Sequence, residues 1–293
     1  MKLVWQSKLV LLVVLPFAGA SVVLQAHWWA MNSRPVAVWA VGLSLLLGLV
    51  VLKLHAATPG AAVAGAAITA CLMFSTAIPP YQPWQTALVP VLAVSVLTWT
   101  ATRLGRGQKE RLGTAERREG RTASQVAANL GVAVIVCDEL VQSWLTDTGR
   151  FSRATLAPMP LFAVGLAALA EAAADTVSSE VGQVLGGQPR MITTFRQVEA
   201  GTDGAISLVG SLAGVVAAGV VAAAGTLALR GDLPMFWIGC SGGVFGLAFD
   251  SLLGATLERR GWLNNDAVNF LSTASAAGFA LGTMAMRTHF GLG

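Results

Sequence analysis

Long apolar runs separated by short polar segments dominate this chain. Each run holds close to the roughly 20 apolar residues that a helix needs to cross a bilayer. The separating segments contain proline, glycine or charged residues, which are typical of loops. The runs cover roughly residues 7–26, 36–54, 61–79, 84–102, 122–145, 155–177, 205–229, 234–257 and 268–287. The pattern predicts an all-α, polytopic transmembrane helical bundle of about nine spans.

The composition agrees with this fold class. Of the 293 residues, 55% are hydrophobic and 12% are charged, whereas a soluble domain carries about 25% charged residues. No long polar linker divides the chain, so we expect a single membrane domain over residues 1–293. Within it we distinguish accessory spans (1–102), a basic cytoplasmic loop (103–121) and spans that carry the candidate chemistry (122–287).

The distribution of Lys and Arg predicts which ends of the spans face the cytoplasm. Cytoplasmic loops carry an excess of these residues, and the segment 103–121 alone contains seven. With nine spans, fourteen Lys and Arg fall on the side of that segment and five on the other side. We therefore expect the N-terminus inside and a location in the cell (inner) membrane. The first run also fits a signal peptide ending at Ala18-Gly19-Ala20, but it continues to Leu24, so we expect an uncleaved span.

Carboxylates and hydroxyls gather at the cytoplasmic end of the predicted span 155–177. Four of them repeat at i, i+4 and i+7/i+8 and share one helix face: Glu171, Asp175, Ser178 and Ser179. Glu180 lies about 140° around the helix from Asp175, so it joins that face only if the helix bends or ends near Gly182. Charge at the membrane is costly and usually survives where it performs chemistry or lines a pathway.

Three other spans present polar residues at the same predicted membrane face. Asp250 lies about two turns before the end of the span 234–257, where a carboxylate requires a partner, a cation or a proton. The other two spans begin with polar stripes that repeat at i+4: Arg121, Gln125 and Asn129, and Asn265, Asn269 and Thr273. We expect all of these residues and the connecting segment 182–204 to form a single cytoplasmic site.

The residue types at this site favour phosphate and divalent-cation chemistry. Mg²⁺ prefers a few carboxylates together with waters and substrate phosphates, and the candidate ligands are Asp175, Glu180, Asp203 and Asp250. The segment Gly201-Thr202-Asp203-Gly204 immediately precedes a predicted helix, whose free backbone N–H groups would favour phosphate. Candidates to bind phosphate oxygens are Arg121, Arg190 and Arg196. No Walker A motif is present.

The remaining polar and sulfur-containing residues give weaker signals. Asp138, Glu139 and Gln142 form a smaller cluster on the predicted outer side, which we interpret as interfacial or packed against Arg150 and Arg153. The three cysteines and three histidines are isolated and lack zinc-binding spacing. We interpret the cysteines as buried apolar residues.

Five segments resemble one family of integral membrane proteins. They are Arg121–Asn129, Ala174–Gly182, Pro189–Thr194, Gly201–Gly204 and Asp250–Ala255. The family contains the plant phytyl-phosphate kinase of the vitamin E pathway, and its animal members are called transmembrane protein nineteen. It is distantly similar to phytol kinase and dolichol kinase, which use CTP. The resemblance covers about residues 120–275 and is most specific between Ala174 and Gly204.

The resemblance implies a Mg²⁺-dependent kinase that converts an isoprenyl monophosphate, of phytyl or geranylgeranyl type, to the diphosphate. The implied donor is a nucleoside triphosphate, with CTP favoured. On this interpretation the catalytic and metal-binding residues are Asp175, Glu180 and Asp250, with Asp203 as a further metal ligand. The cofactor-binding residues are Arg190, Arg196, Gly201, Thr202, Asp203 and Gly204. The substrate-binding residues are Arg121, Gln125, Asn129, Ser178, Ser179, Asn265 and Asn269.

Two other classes of protein fit the same residues. A lipid-phosphate cytidylyltransferase or phosphatase would use them in the same places and differ in its product. A polyprenyl-phosphate carrier would need polar groups along a path near the bilayer midplane, whereas these residues cluster at one face. In every case we expect membrane lipids and an isoprenyl phosphate as partners, and no nucleic acid.

Overall fold

Helices account for most of the chain in the computed structural model, which describes residues 4–147 and 158–289. Those ranges contain eleven α-helices, a short 3₁₀ turn (Pro83–Gln85), a π-helical turn (Gly254–Glu258) and one antiparallel pair of strands, β1 (Arg190–Met191) and β2 (Ala205–Ile206). The helices are α1 (Val4–Asn32), α2 (Arg34–Lys53), α3 (Pro59–Ser75), α4 (Leu88–Arg103), α5 (Arg106–Leu112), α6 (Ala123–Cys137), α7 (Glu139–Asp147), α8 (Pro158–Leu185), α9 (Leu208–Ala228), α10 (Leu233–Leu253) and α11 (Asn265–His289).

The helices differ in how well they suit a membrane crossing. Within the described ranges five are long and apolar enough to cross a bilayer, namely α1, α2, α8, α9 and α10 with its π-helical extension, and α4 joined to α5 across a 67° bend makes a sixth. The protein is therefore a polytopic helical membrane protein. Each of the nine predicted runs overlaps one of the helices, but α3 and α6 have only 17 and 15 residues and α11 carries a polar stripe. The count of nine crossings and the inside N-terminus stay predictions.

Side-chain caps set the start of several helices at the ends of the bundle. Thr122 and Gln125 form a reciprocal capping box at the start of α6, in which each side chain accepts from the other residue's backbone N–H. Ser207 and Asp232 cap α9 and α10 through single hydrogen bonds, which their side chains accept from the backbone N–H groups of Gly210 and Met235. Such caps satisfy backbone donors that a helix start leaves unpaired, so the polar residue before each apolar run fixes where that helix begins.

Helix α8 lies at the centre of the bundle. It packs against α4, α6, α9, α10 and α11, and nearly every side chain from Leu161 to Ala174 is buried. Its alanine-rich sequence and the glycines of α9 and α10 allow this close packing, since a Cβ on Gly243 would lie 2.7 Å from the Cβ of Ala170. The carboxylates near the end of α8 are therefore surrounded by other helices rather than by lipid.

Helices α1 and α3 pack on α6, and α2 packs on α1 and α3. One hydrophobic cluster includes residues from Val10 in α1 to Met284 in α11. Gln6 also ties α1 to the start of α11, because its side-chain amide donates to the carbonyl of Trp262 and accepts from the backbone N–H of Asn264. The predicted accessory spans thus contribute to the same core as the spans that carry the candidate chemistry.

The segment 103–121, predicted as a basic loop, contains a helix. Helix α5 follows α4 after a bend at Gly105, which has a φ of 58° and so a conformation that favours glycine. The bend brings α5 against the end of α8. One lysine of α5 is fully buried there, so the basic residues of this segment do not all face solvent or lipid headgroups.

Candidate active site

A polar cavity of about 710 Å³ opens at one end of the bundle. Its walls come from the segment before α6, the ends of α8 and α10, the segment between β1 and α9, and the start of α11. Ten of the predicted site residues line it: Gln125, Ser178, Ser179, Glu180, Gly201, Thr202, Asp203, Gly204, Asp250 and Asn265. The structure therefore places polar residues from four distant parts of the sequence around one space.

Three carboxyl groups lie near one another beside this cavity, and of these only Asp250 is among the described residues that line it. Asp175 of α8 and Asp250 of α10 are neighbours, and Glu171, one turn earlier on α8, lies near both and near the hydroxyl of Ser272. Among the described residues, Glu171 Oε1 and Asp250 Oδ2 are buried without a hydrogen-bond partner. Since adjacent carboxylates repel each other in a region of low dielectric, this arrangement calls for a shared proton or a bound cation.

Glycine in α10 allows these carboxyl groups to approach each other. A Cβ on Gly246 would lie 2.5 Å from Glu171 Cγ and 2.8 Å from the Cβ of Ala276. Real Cβ atoms do not come so close, so any side chain at this position would push α8 and α11 away from α10. The small-residue spacing of α10 thus serves helix packing and, through it, the position of the acidic group.

Arg121 brings positive charge to the acidic group from the side. Its guanidinium donates to the hydroxyl of Thr176 over 3.1 Å, and its charge acts on Asp175. Arg121 is not among the described residues that line the polar cavity; it lines a second groove. Asp175 is therefore a neighbour both of Asp250, which lines the cavity, and of Arg121, which lines the groove.

Asn129 and Asn269, both predicted to bind substrate, contact each other. Asn269 lies within 3.5 Å of the side-chain oxygen of Asn129, and both side chains are buried. Asn129 also donates to the carbonyl of Gln125, and Asn265 lies 3.4 Å from Asn269. Only Asn265 of these three asparagines lines the cavity, so Asn129 and Asn269 link α6 to α11 beneath it.

The segment Gly201–Gly204 lines the cavity, but it does not lead directly into a helix as predicted. Strand β2 and Ser207 intervene, and the Ser207 hydroxyl caps α9 by accepting from the backbone N–H of Gly210. Instead, the segment packs on the π-helical turn after α10. A Cβ on Gly204, whose φ is 75°, would lie 2.2 Å from the backbone nitrogen of Ala255. The glycine is required by this close approach and by its backbone conformation.

Arg190 and Arg196 lie away from the position predicted for them. Both are exposed, and neither is among the described residues that line the cavity. Arg190 donates to the carbonyl of Phe195 over 2.9 Å in the turn that follows β1. Arg117, from the segment before α6, lines the cavity instead. The placement gives no support to Arg190 and Arg196 as ligands of nucleotide phosphates.

Lys109 is a site residue that sequence reasoning missed. Its ammonium donates to the carbonyls of Ala101 and Thr102 at the end of α4 and to the carboxylate of Glu180. The lysine side chain is 1% exposed, whereas Glu180 also lines the cavity. Helix α8 continues past Gly182 to Leu185, so Glu180 points away from the face of Asp175, as the spacing predicts, and its partner comes from α5.

The carboxylates at this site suit a metal ion that takes most of its ligands from water and substrate. Within the described ranges no three His, Cys, Asp or Glu side chains form a metal-binding group. Of the predicted ligands, Asp175 and Asp250 are neighbours, Glu180 pairs with Lys109, and Asp203 lines the cavity on a segment that packs against the end of α10. Mg²⁺ commonly binds one or two carboxylates and completes its shell with water and substrate phosphates. The unpartnered Asp250 Oδ2 is consistent with that role.

In the smaller acidic cluster Asp138 is buried, Glu139 is exposed and Gln142 is half-buried, so the interfacial interpretation is wrong for Asp138. This carboxylate accepts from the Ser21 hydroxyl over 2.6 Å and from the backbone N–H of Leu140 over 2.9 Å. It thereby starts α7 and joins it to α1. The predicted partners Arg150 and Arg153 lie outside the described residues.

Residues 42–277 match the family described as integral membrane protein DUF92. Over 108 residues the chain is 47% identical to an uncharacterized membrane protein of Methanocaldococcus jannaschii, covering 37% of this chain and 45% of that protein. Over 186 residues it is 31% identical to Protein VTE6, chloroplastic, of Arabidopsis thaliana, covering 62% of this chain and 54% of that protein. Over 213 residues it is 31% identical to an uncharacterized membrane protein of Synechocystis, covering 68% of this chain and 74% of that protein.

The matched stretches thus span 45% and 54% of the length of the first two relatives and 74% of the third. No solved structure matches the chain. The family match includes α3 to α10 and most of α11, and so contains almost every residue of the candidate site. The chain therefore belongs to the DUF92 family of integral membrane proteins.

Proposed function

We propose that this protein transfers the γ-phosphoryl group of a nucleoside triphosphate, with CTP favoured, to an isoprenyl monophosphate. The product is the isoprenyl diphosphate. The observation that carries the proposal is the pair of neighbouring carboxyl groups, Asp175 and Asp250, of which Asp250 lines a polar cavity in a membrane protein. The similarity to Protein VTE6 and the resemblance to the phytyl-phosphate kinase family support an isoprenyl substrate.

The cavity suits a nucleotide in size and in lining. Its volume of about 710 Å³ lies in the range of roughly 300–1,000 Å³ that is usual for sites of small molecules and cofactors. Hydroxyl and amide side chains from three helices line it, including Ser178, Gln125 and Asn265. Nucleoside triphosphates occur in the cytoplasm, so the proposal also places the cavity at the cytoplasmic face of the cell membrane.

The chemistry requires positioning and charge neutralisation rather than a covalent intermediate with the protein. An oxygen of the acceptor phosphate forms a bond to the γ-phosphorus, and the bond to the bridging oxygen of the nucleoside diphosphate breaks. Asp175 and Asp250 would hold Mg²⁺, which neutralises charge on the phosphate oxygens. Arg121 would bind the acceptor phosphate beside Asp175, because it supplies the nearest positive charge to that carboxyl.

The test is a phosphate-transfer assay on protein purified in detergent with Mg²⁺. Geranylgeranyl or phytyl monophosphate is offered with γ-labelled CTP, ATP, GTP or UTP. We expect label in a lipid diphosphate, and its loss in Asp175→Asn. The matched control is Asp232→Asn at the far end of α10, since asparagine caps a helix as well as aspartate does.

Two outcomes would contradict the proposal. Folded protein that transfers label from none of the four donors is not this kinase. Lipid that acquires label from an α-labelled nucleotide, with no diphosphate formed, would identify a nucleotidyltransferase that uses the same cavity.

A further inference from the structure

A second groove, largely apolar, runs along the bundle from the residues that it shares with the polar cavity. It has a volume of about 130 Å³ and lies between α2, α3, α4 and α6, with Ala172 of α8 among its lining residues. Much of the lining is small, including Gly48, Ala61, Gly65 and Ala66. Because these residues have little or no side chain, a channel remains open between helices that otherwise pack closely.

Two of the helices around the groove pack only loosely on each other. Helices α3 and α4 contact each other little, whereas α3 packs closely on α2 and α6 and α4 packs closely on α8 and α9. Val91, Val94 and Trp99 of α4 line the groove. A hydrocarbon chain could therefore enter sideways from the membrane, between α3 and α4, without crossing the polar cavity.

The end of the groove nearest the polar cavity is basic. Four arginines line it there: Arg103, Arg106, Arg117 and Arg121. Arg103 stacks over the ring of Trp99 with its guanidinium carbon 4.6 Å from the ring centre, and it donates to the carbonyl of Leu54. An apolar channel that ends in arginines matches the charge and shape of an amphiphile with an anionic phosphate head.

The groove and the polar cavity meet at the acidic group. Glu116 and Arg117 line both spaces. Arg121 lines the groove and acts on Asp175, which is a neighbour of Asp250 in the lining of the cavity. A phosphate at Arg121 would thus face a nucleotide in the cavity across the two carboxyl groups.

We infer that this groove is the subsite for the hydrocarbon chain of a lipid monophosphate whose phosphate binds at Arg121 and Arg117. The inference rests on the proposed kinase function for the reaction itself, but the binding site stands on its own geometry. The groove encloses the part of the chain next to the phosphate, and the remainder extends between α3 and α4 into the bilayer. The nucleotide enters from the other side, through the polar cavity.

A kinetic experiment with one groove variant tests the inference. In Gly65→Leu the new side chain meets no close neighbour at its Cβ, since the nearest atom, Val126 Cγ1, lies 3.8 Å away, and the rest of it fills the groove. We expect the KM for geranylgeranyl phosphate to rise at least about tenfold, the loss expected when about two methylene groups are excluded, and the KM for CTP to stay unchanged. Gly42→Leu, on the exposed face of α2 with no atom within 4 Å of its Cβ, is the matched control and should leave both constants unchanged.

A binding experiment tests the subsite without turnover. A diazirine analogue of geranylgeranyl monophosphate is cross-linked to the full chain in detergent micelles without nucleotide, and the labelled peptides are mapped by mass spectrometry. We expect labelling of α3 and α4, competed by geranylgeranyl phosphate but not by geranylgeraniol, and reduced in Gly65→Leu. Arg121→Gln should weaken the phosphate-dependent competition.

The outcomes separate the subsite from the reaction. Cross-links confined to the exposed faces of α9 and α10, in a protein that is an active kinase, would overturn the subsite alone. Cross-links in the groove that phosphatidylglycerol removes as effectively as geranylgeranyl phosphate would show a site for bulk membrane lipid and overturn it as well. Cross-links in the groove of a protein without kinase activity would support the subsite and overturn the kinase.

Discussion

Asp175 and Asp250 come from different helices and yet their carboxyl groups lie side by side in the interior of the protein. Burial of charge is unfavourable, and two neighbouring carboxylates add repulsion to that cost. Arg121 offsets part of it from the side of α8. A pair that costs stability in this way is typical of a functional site, where stability is given up for chemistry.

The first prediction concerns removal of one of these charges. In Asp250→Asn the side chain keeps its shape but the repulsion disappears, so we expect a melting temperature in detergent equal to or above that of the native protein. We expect phosphate transfer to fall by about 10²–10³ or more, the usual effect of removing a group that stabilises transition-state charge. Circular-dichroism melting and the labelled-nucleotide assay measure the two effects on the same preparation.

The opposite combination would contradict this view of the site. If Asp250→Asn melts well below the native protein while its folded fraction stays fully active, the carboxylate has a structural role. Asp232→Asn on the same helix shows how much the amide substitution alone changes either measurement.

The second prediction concerns the glycine that allows the carboxyl groups to meet. In Gly246→Ala the added methyl would overlap Glu171 and Ala276, so the helices must separate. We expect a loss of about 1–3 kcal/mol of stability, as for other overpacked cores, and a loss of activity because α8 and α10 hold the two aspartates. Gly219→Ala in α9, with no atom within 4 Å of its Cβ, should leave both unchanged. Equal behaviour of the two variants would show that the packing of α10 tolerates a side chain here.

Helix α5 is the element whose role is least visible in its amino-acid sequence. It holds Lys109 against the carbonyls at the end of α4 and against Glu180 in the cavity wall. A cation at a helix C-terminus is favourable because the unpaired carbonyls carry partial negative charge. Lys109 therefore fixes the bend between α4 and α5 and the position of Glu180 together.

The third prediction separates these contributions with a pair of substitutions. Lys109→Met removes the cation and leaves Glu180 partly buried without its partner, which we expect to destabilise the protein by about 3–5 kcal/mol. The double variant Lys109→Met/Glu180→Gln removes the stranded charge, so we expect it to recover part of that stability. Thermal unfolding of the single and double variants in one detergent provides the comparison. A double variant less stable than Lys109→Met would mean that the ion pair is not what holds α5 against α8.

At the level of elements, the sequence predicts most helices but only part of the site. Polar residues that repeat at i+4 at the ends of apolar runs indicate the helix faces that carry Asn265 and Gln125 to the cavity. Their helices are long and regular, so the direction of each side chain follows from its position.

The segments between helices follow no such periodicity, and there the predictions failed. The start of α9 was placed directly after Gly204, but Ser207, a strong capping residue, lies closer to the apolar run and fixes the start instead. Arg190 and Arg196 are exposed and are not among the described residues that line the cavity, and the turn after β1 holds the Arg190 guanidinium on the carbonyl of Phe195. Lys109 is not predicted from the sequence as a site residue, because the excess of basic residues on the predicted cytoplasmic side accounts for every lysine and arginine of its segment.

The whole molecule has two different ends. One end carries the polar cavity, the basic end of the groove and the start of α1, since Val4 and Ser7 also line the cavity. The other end carries aromatic contacts such as that between Trp29 and Tyr81, whose ring centres are 5.5 Å apart. Separation of the polar and aromatic ends argues against a continuous polar path through the bilayer and favours an enzyme at one membrane face over a carrier.

The orientation of these two ends decides whether the proposed reaction is possible. Helix α1 has 29 residues, which extend about 43 Å at 1.5 Å per residue, so its final residue Asn32 lies across the membrane from the cavity. We predict that Glu119→Cys, on the cavity side, reacts with a membrane-impermeant maleimide only after cells are opened, and that Asn32→Cys reacts in intact cells. Cys71 and Cys137 are buried and Cys240 is half-buried, so a variant without introduced cysteines should show little labelling. The reverse pattern would put the cavity outside the cell, away from nucleoside triphosphates, and would overturn the kinase while leaving the fold untouched.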